Sequence, residues 1–292
     1  MQDRTVGKVL NQITEYLMRK GIESPRLTAE LLVSGALGVG RIDLYTRPET
    51  VLDDRAWAQL QDLAKRAGQN EPVEYLLGKT EFYFLEMIVE HGCVIPRPET
   101  ELLVEKAIEF LRDRPGQQLV CDLCTGSGCV AVAIACNCPN VRLIATDISA
   151  EAIDVAGRNI EKYHLKDQIT LLQGDLFEPL KQGGTDSKYD LIVSNPPYVS
   201  TAEYEDLEEN VRNYEPKEAL LAGADGLDVH SRIIESANMF LKPDAALMLE
   251  IGYKQGQAVR QLLEKTAVFQ YVGIAKDFSG HDRIAIAVKA NQ

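Results

Sequence analysis

No stretch of this chain is apolar for long enough to cross a bilayer. The longest purely apolar run among its 292 residues, CVAVAIAC at 129–136, falls well short of the ~20 residues a spanning helix needs. The opening residues, MQDRTVGKVLNQ, carry charge early and lack an apolar run of signal-peptide length, so a soluble cytoplasmic protein that meets no membrane is expected. Histidine is scarce. None of His91, His164, His230 and His281 lies near another, or near the cysteines at 121–138, at ligand spacing, so no metal is expected. Positive charge is also in deficit: 31 Lys and Arg stand against 44 Asp and Glu, for a net charge of -13. Nucleic-acid binding draws much of its affinity from Lys and Arg neutralising phosphates, so no direct nucleic-acid partner is expected.

Cysteine is present, with five of the six residues falling between Cys121 and Cys138. Cys121 and Cys124 flank a predicted buried strand, and Cys129 and Cys136 share one face of the helix after it, so all of them read as small core hydrophobes. The acids concentrate at 201–218, TAEYEDLEENVRNYEPKE, with seven acids against two bases. Beside an active site such a run would repel phosphate and favour a basic protein partner.

The chain is long enough for one large domain and a small one. Residues 1–71 read as helices. Val6, Val9, Leu10, Ile13 and Leu17 recur at helical spacing, Ser24-Pro25 starts a second helix by capping and a preset φ, Gly38 ends it, and a third spans Asp54 to Ala67. Residues 72–96 turn aromatic and alternating, the pattern of a hairpin linking two domains. From 97 to 292 the rhythm is strand, helix, strand, with strands expected at 119–124, 141–147, 169–173, 189–194, 245–251, 268–276 and 283–289. That pattern predicts a mostly parallel α/β sheet covered by helices on both faces, with the last two strands antiparallel. QGGTDSK at 182–188 reads as a surface loop.

Four consecutive strands end in residues suited to holding a ligand. The first runs into DLCTGSGCVAVA, where Gly126 and Gly128 fit a nucleotide-binding turn and the next helix offers free N–H groups. The second ends at Asp147, whose carboxylate can hold ribose hydroxyls, and the third at Asp175 and Leu176, where an adenine could be sandwiched. The fourth, LIVSNPPYV, ends in Asn195, Pro196, Pro197 and Tyr198. Neither proline has an N–H, so this stiff turn is rich in acceptors, with a flat ring beside it. Its natural guest is a planar group bearing an NH2. Nothing downstream resembles a hydride-accepting pair, so the order favours S-adenosylmethionine over a nicotinamide.

Asp122 to Gly128 resembles the first motif of class I methyltransferases, and NPPY resembles the motif of amino-methyltransferases. The wider text is IPRPETE at 95–101, YEPKEAL at 214–220, DGLD at 225–228, LEIG at 249–252 and KDFSGHDR at 276–283. With these, nearly the whole chain is similar to the peptide chain release factor glutamine N5-methyltransferases of the HemK type. The resemblance implies a Rossmann-like, seven-stranded class I methyltransferase domain with a small helical substrate-recognition domain before it. It also implies methyl transfer from S-adenosylmethionine to the glutamine of a Gly-Gly-Gln loop, a release factor as partner, and a monomer. Cys124, Thr125, Gly126, Ser127 and Gly128 would hold the cofactor, along with Asp147, Asp175, Leu176 and Asn195. Pro98, Glu99 and Thr100 would close over its amino-acid end. At Cys124 the family usually has glycine, a change that costs little if φ there is negative. Leu176 replaces an aromatic residue that some members place beside the adenine.

In this reading Asn195 Oδ1 and the Pro196 carbonyl accept the two N–H bonds of the substrate amide, while Tyr198 fixes its plane. Glu250 and the 276–283 segment shape the pocket. The competing readings are methylation of an exocyclic base amine in DNA or RNA, which shares NPPY but calls for a basic surface, and a non-catalytic cofactor-binding protein.

Overall fold

The computed structural model describes residues 4–182 and 188–291, and the loop expected at 182–188 lies almost wholly outside them. Two compact units emerge, Met1–Lys79 with Glu208–Tyr214, and Thr80–Leu207 with Glu215–Gln292.

The smaller unit is helical: α1 (Val6–Arg19), α2 (Pro25–Leu37), α3 (Arg41–Thr46), α4 (Asp54–Ala67) and α5 (Val73–Leu77). The apolar stripe of α1 packs with Leu32 and Val33 of α2 and Leu60 and Leu63 of α4 in one core. Asp53 caps α4 by accepting from the Ala56 N–H at 2.7 Å, and Gly38 closes α2 in the left-handed region, which only glycine enters without strain. Ser24 makes no capping bond, contrary to expectation; Pro25, with its preset φ, opens the helix. The unit also includes Glu208–Tyr214, with a short helix at Glu209–Tyr214 (α11 in chain order). There the Asn70 amide donates to Glu209 at 3.0 Å and the Tyr214 hydroxyl to the Gln69 carbonyl at 2.9 Å. The acidic run at 201–218 is therefore divided between the two units.

The larger unit begins with a hairpin, β1 (Lys79–Phe82) and β2 (Leu85–Ile88), followed by a 3-10 turn at Pro98–Thr100 and α6 (Glu101–Arg112). Next come β3 (Gln118–Leu123), α7 (Cys129–Asn137), β4 (Val141–Asp147), α8 (Ala150–Lys162), β5 (Ile169–Gln173), α9 (Glu178–Gln182) and β6 (Tyr189–Ser194). It finishes with α10 (Thr201–Glu205), α12 (Asp228–Phe240), β7 (Leu241–Glu250), α13 (Gly256–Lys265), β8 (Phe269–Lys276) and β9 (Asp282–Lys289). The seven-stranded sheet has the order β5-β4-β3-β6-β7-β9-β8, with β9 antiparallel to both of its neighbours. α6, α7 and the hairpin cover one face, α12 and α13 the other.

The apolar run noted above is α7, buried all round from Cys129 to Ala135, which is why its sequence shows no amphipathic stripe. Its last turn runs out of the core, so Cys136 is exposed and the reading of every clustered cysteine as a core residue fails there. No helix among the described residues is long and apolar enough to cross a membrane. Neither do the described residues contain a group of three or more His, Cys, Asp or Glu side chains that could hold a metal ion.

Candidate active site

The chain leaves β3 in one direction to build β4 and β5, then returns to place β6 on β3's other side. Such a reversal opens a crevice at the carboxyl ends of the strands. Register aligns those ends. Leu123 pairs with Thr146 on one side and Ser194 on the other, Asp147 pairs with Gln173, and Ser194 pairs with Leu249. Cys124, Asp147, Asn195 and Glu250 thus stand at the ends of neighbouring strands.

The β3 loop turns sharply. Cys124 has φ 56°, not the negative value that a cysteine there was expected to need, and Gly126 and Gly128 are also left-handed. Contacts from neighbouring strands impose it: Ser194 Oγ donates to the Leu123 carbonyl at 2.7 Å, and the Thr125 N–H must still reach the Thr146 carbonyl at 3.0 Å. Left-handed geometry costs a residue with a Cβ roughly 1–2 kcal/mol, so this cysteine is held under strain by its neighbours. A Cβ on Gly126 would point into open space, whereas one on Gly128 would lie 3.1 Å from the Ala156 Cβ. The first glycine keeps the backbone bare toward the crevice, and the second lets α7 pack against α8. Buried Asn159 ties this loop to the hairpin, bonding the Ser127 carbonyl and both backbone groups of Ile88.

Asp147 meets the loop from β4. Its Oδ2 accepts from the Gly126 N–H at 2.8 Å and its Oδ1 from the Ser149 N–H at 3.0 Å. Burial pushes its carboxyl above the ordinary value, against the pull of those amides. Each oxygen keeps a further lone pair for a pair of hydroxyls. Below the loop, Asp122 accepts from Thr125 Oγ1 at 2.6 Å, and burial pushes it up to about 7. From β5, Asp175 is held by Arg232 of α12 at 2.6 Å, and Leu176 is buried with φ 49°.

The NPPY turn is clamped on several sides. Val199 bonds Leu220 and Ala222 through its backbone, and the Tyr198 carbonyl accepts from Gln255 Nε2 at 2.9 Å. Asn195 Nδ2 donates to Thr100 Oγ1 at 3.1 Å, and the Tyr198 hydroxyl donates to Glu250 at 3.4 Å. Arg97 pairs with buried Glu215, joining the IPRPETE and YEPKEAL motifs and removing one acid of the 201–218 run from the surface. Burial raises the Tyr198 hydroxyl well above its ordinary value, so it stays protonated, and lifts Glu250 to about 7.

These strand ends surround a cavity of about 730 Å³, within the usual range for small-ligand sites. Cys124 to Ser127, Asp147, Asp175, Leu176, Asn195 to Tyr198 and Thr100 all border it. Gly128 does not border it and acts through packing. Pro98 and Glu99 do not border it either; both are exposed on the 3-10 turn, so only Thr100 of that trio lines the cavity. Arg97 and Arg232 border it without having been singled out in the sequence. Arg232 had no signal to find, being one polar residue on an amphipathic helix.

Residues 8–78 match the PrmC N-terminal domain family and residues 99–212 the methyltransferase small domain family. A release factor glutamine methyltransferase of Rhodopirellula baltica is 39% identical over 290 residues, covering 98% of this chain and 97% of that one. One of Geobacter sulfurreducens is 40% identical over 280 residues, covering 96% and 95%. A methyltransferase structure from Pyrococcus furiosus, 19% identical, shares the fold with a TM-score of 0.51 over 82% of this chain and 100% of that one. Two relatives at this identity, matched from end to end on a sheet whose strand ends line one cavity, establish that the chain belongs to the release factor glutamine methyltransferase family.

Proposed function

We propose that this protein transfers a methyl group from S-adenosylmethionine to the side-chain amide nitrogen of the glutamine in the Gly-Gly-Gln loop of peptide chain release factors. The observation that carries this reading is the single cavity shared by the Asp147 and Gly126 edge and the NPPY turn. The residues present fit the cofactor: Asp147 keeps lone pairs for ribose hydroxyls, the bare Gly126 backbone allows close approach, and Leu176 and Asp175 border the space an adenine would take. Bound there, S-adenosylmethionine supplies an electrophilic methyl group on a sulfonium.

The chain's own residues supply position. A carboxamide nitrogen is a poor nucleophile because its lone pair is delocalised, in the resonance that gives a peptide bond its ~18–20 kcal/mol rotation barrier. Asn195 Oδ1 and the Pro196 carbonyl take the two substrate N–H bonds and Tyr198 holds the amide plane. Orientation of this kind can contribute about 7–11 kcal/mol. The helical N-terminal domain and the exposed acids at 203–209 read the protein substrate, and the enzyme works in the cytoplasm as a monomer.

Incubation with labelled S-adenosylmethionine and, separately, a release factor, a factor lacking the loop glutamine, and plain DNA tests the reading. Label is expected only in the first; label in DNA would favour the base-amine alternative. Replacing Asp147 by alanine is expected to weaken S-adenosylmethionine binding by at least tenfold without unfolding the protein, since hydrogen bonds to a charged group are worth roughly 1.5–3 kcal/mol. Calorimetry checks it, and unchanged affinity would move the ribose contact elsewhere.

A further inference from the structure

We infer that Arg232 of α12 is a positioning residue for the cofactor's base: it fixes the Asp175 carboxylate, so that the site takes a purine carrying an exocyclic amine and turns away one with a carbonyl in its place. The inference rests on the S-adenosylmethionine reading given above. Asp147 pairs with Gln173 in the sheet, so Asp175 lies two residues past the end of the neighbouring strand, beyond the carboxylate assigned to the ribose. Both acids border the one cavity. So do Val229 and Arg232, which are three positions apart on α12 and therefore share one face of it.

The main chain around Asp175 is held at three points. The Gly174 N–H donates to the Asp147 carbonyl at 2.9 Å, the Glu178 N–H to the Asp175 carbonyl at 2.9 Å, and Thr146 Oγ1 to the Leu176 carbonyl at 3.1 Å. The Asp175 side chain is held at one. Among the described residues only Arg232 bonds it, Nη2 donating to Oδ2 at 2.6 Å, and Oδ1 carries no hydrogen bond. The two side chains are 53% and 35% exposed, and an ion pair in that setting adds little to stability. What it supplies is direction, because a planar guanidinium on a second element fixes the rotamer of a carboxylate that nothing else restrains.

A carboxylate oxygen only accepts, so Oδ1 suits an amine and repels a carbonyl. Adenine offers an NH2. Its deaminated counterpart, hypoxanthine, offers an oxygen there and a proton on the adjoining ring nitrogen. A carboxylate free to turn can follow that proton, whereas one held by Arg232 cannot. Discrimination between the two bases therefore depends on the arginine and not on the acid alone.

The test measures by calorimetry the binding of S-adenosylhomocysteine and of its deaminated analogue, S-inosylhomocysteine. The proteins compared are wild type, Arg232→Gln, Arg232→Lys, Asp175→Ala and the Arg232→Gln/Asp175→Ala double variant, with melting temperatures taken alongside. Wild type is expected to prefer the adenine form by about tenfold or more, the scale of one hydrogen bond to a charged group. Arg232→Gln should lose most of that preference, through weaker binding of the adenine form, with the deaminated form bound as well as before or better. Arg232→Lys, charged but without the planar fork, should fall between the two. Asp175→Ala should abolish the preference, and the double variant should bind the adenine form no more weakly than Asp175→Ala does. An undiminished preference in folded Arg232→Gln, an equal loss of both ligands there, additive losses in the double variant, or no preference in wild type would overturn the inference. If Arg232→Gln does not fold, a full preference in Arg232→Lys overturns it equally. Failure of wild type to bind either S-adenosylhomocysteine or S-adenosylmethionine would instead overturn the proposed function.

Discussion

Replacing Asn195 by aspartate is expected to lower turnover by about a hundredfold or more, near 2.7 kcal/mol at 1.36 kcal/mol per factor of ten, with cofactor affinity equal to or above wild type. The change is almost isosteric, and an aspartate still accepts from an NH2. It cannot donate to Thr100 Oγ1, the partner of Asn195 Nδ2. An aspartate at 195 would stand beside the buried Glu250 at the neighbouring strand end, and two carboxyl groups in one site cannot both stay ionised at little cost. Any negative charge that remains favours the sulfonium ground state, whose positive charge disappears during transfer. Attraction lost on the way to the transition state cannot raise the rate. Calorimetry with S-adenosylmethionine and single-turnover methylation check the two halves. Near-normal turnover would mean that the carboxamide does not position the substrate amide.

Gly226→Ala is expected to act from outside the cavity. Gly226 has φ 76°, and a Cβ there would lie 2.3 Å from the Tyr198 carbonyl oxygen and 2.6 Å from Gln255 Nε2. The near atom is backbone, so it cannot swing aside. Gln255 holds that carbonyl at 2.9 Å while bonding the Gly226 carbonyl at 3.2 Å and accepting from the Gly252 N–H at 2.8 Å. Forcing these groups apart moves the NPPY turn itself. The left-handed alanine alone costs roughly 1–2 kcal/mol and a lost hydrogen bond about 0.5–1.5 more, so the melting temperature should fall measurably. Turnover should drop by at least about tenfold, because misplacement by an ångström at the reacting atoms can cost a hundredfold. S-adenosylmethionine affinity should change little, since Asp147 and Gly126 are held by β3 and β4. Thermal unfolding and turnover together check it; wild-type values of both would show that the turn is not held from this side.

Much of this site was legible in the chain because it is written in short segments. The expected strands from 119 to 289 match the seven observed to within a few residues, since strand patterns and Gly or Pro punctuation are local. NPPY was readable because two prolines restrict their own backbone, and Asp147 because it ends a strand about twenty residues after the glycine loop. The misses are non-local. Cys124 is left-handed because Ser194 and Thr146, far along the chain, take the backbone groups on either side of it. Arg232 reaches Asp175 across 57 positions, and Glu208–Tyr214 joins the small unit through partners near residue 70.

The sequence by itself determined the fold class and the acceptor-rich chemistry of the turn, because periodicity and backbone restriction act over a few residues, and the resemblance of its short motifs pointed to the family. Only the tertiary structure decided that Thr100 borders the cavity while Pro98 and Glu99 do not, and that Glu250 stands beside Asn195. Those facts depend on sheet register and strand order, and nothing in a linear chain records which distant strand end becomes a neighbour.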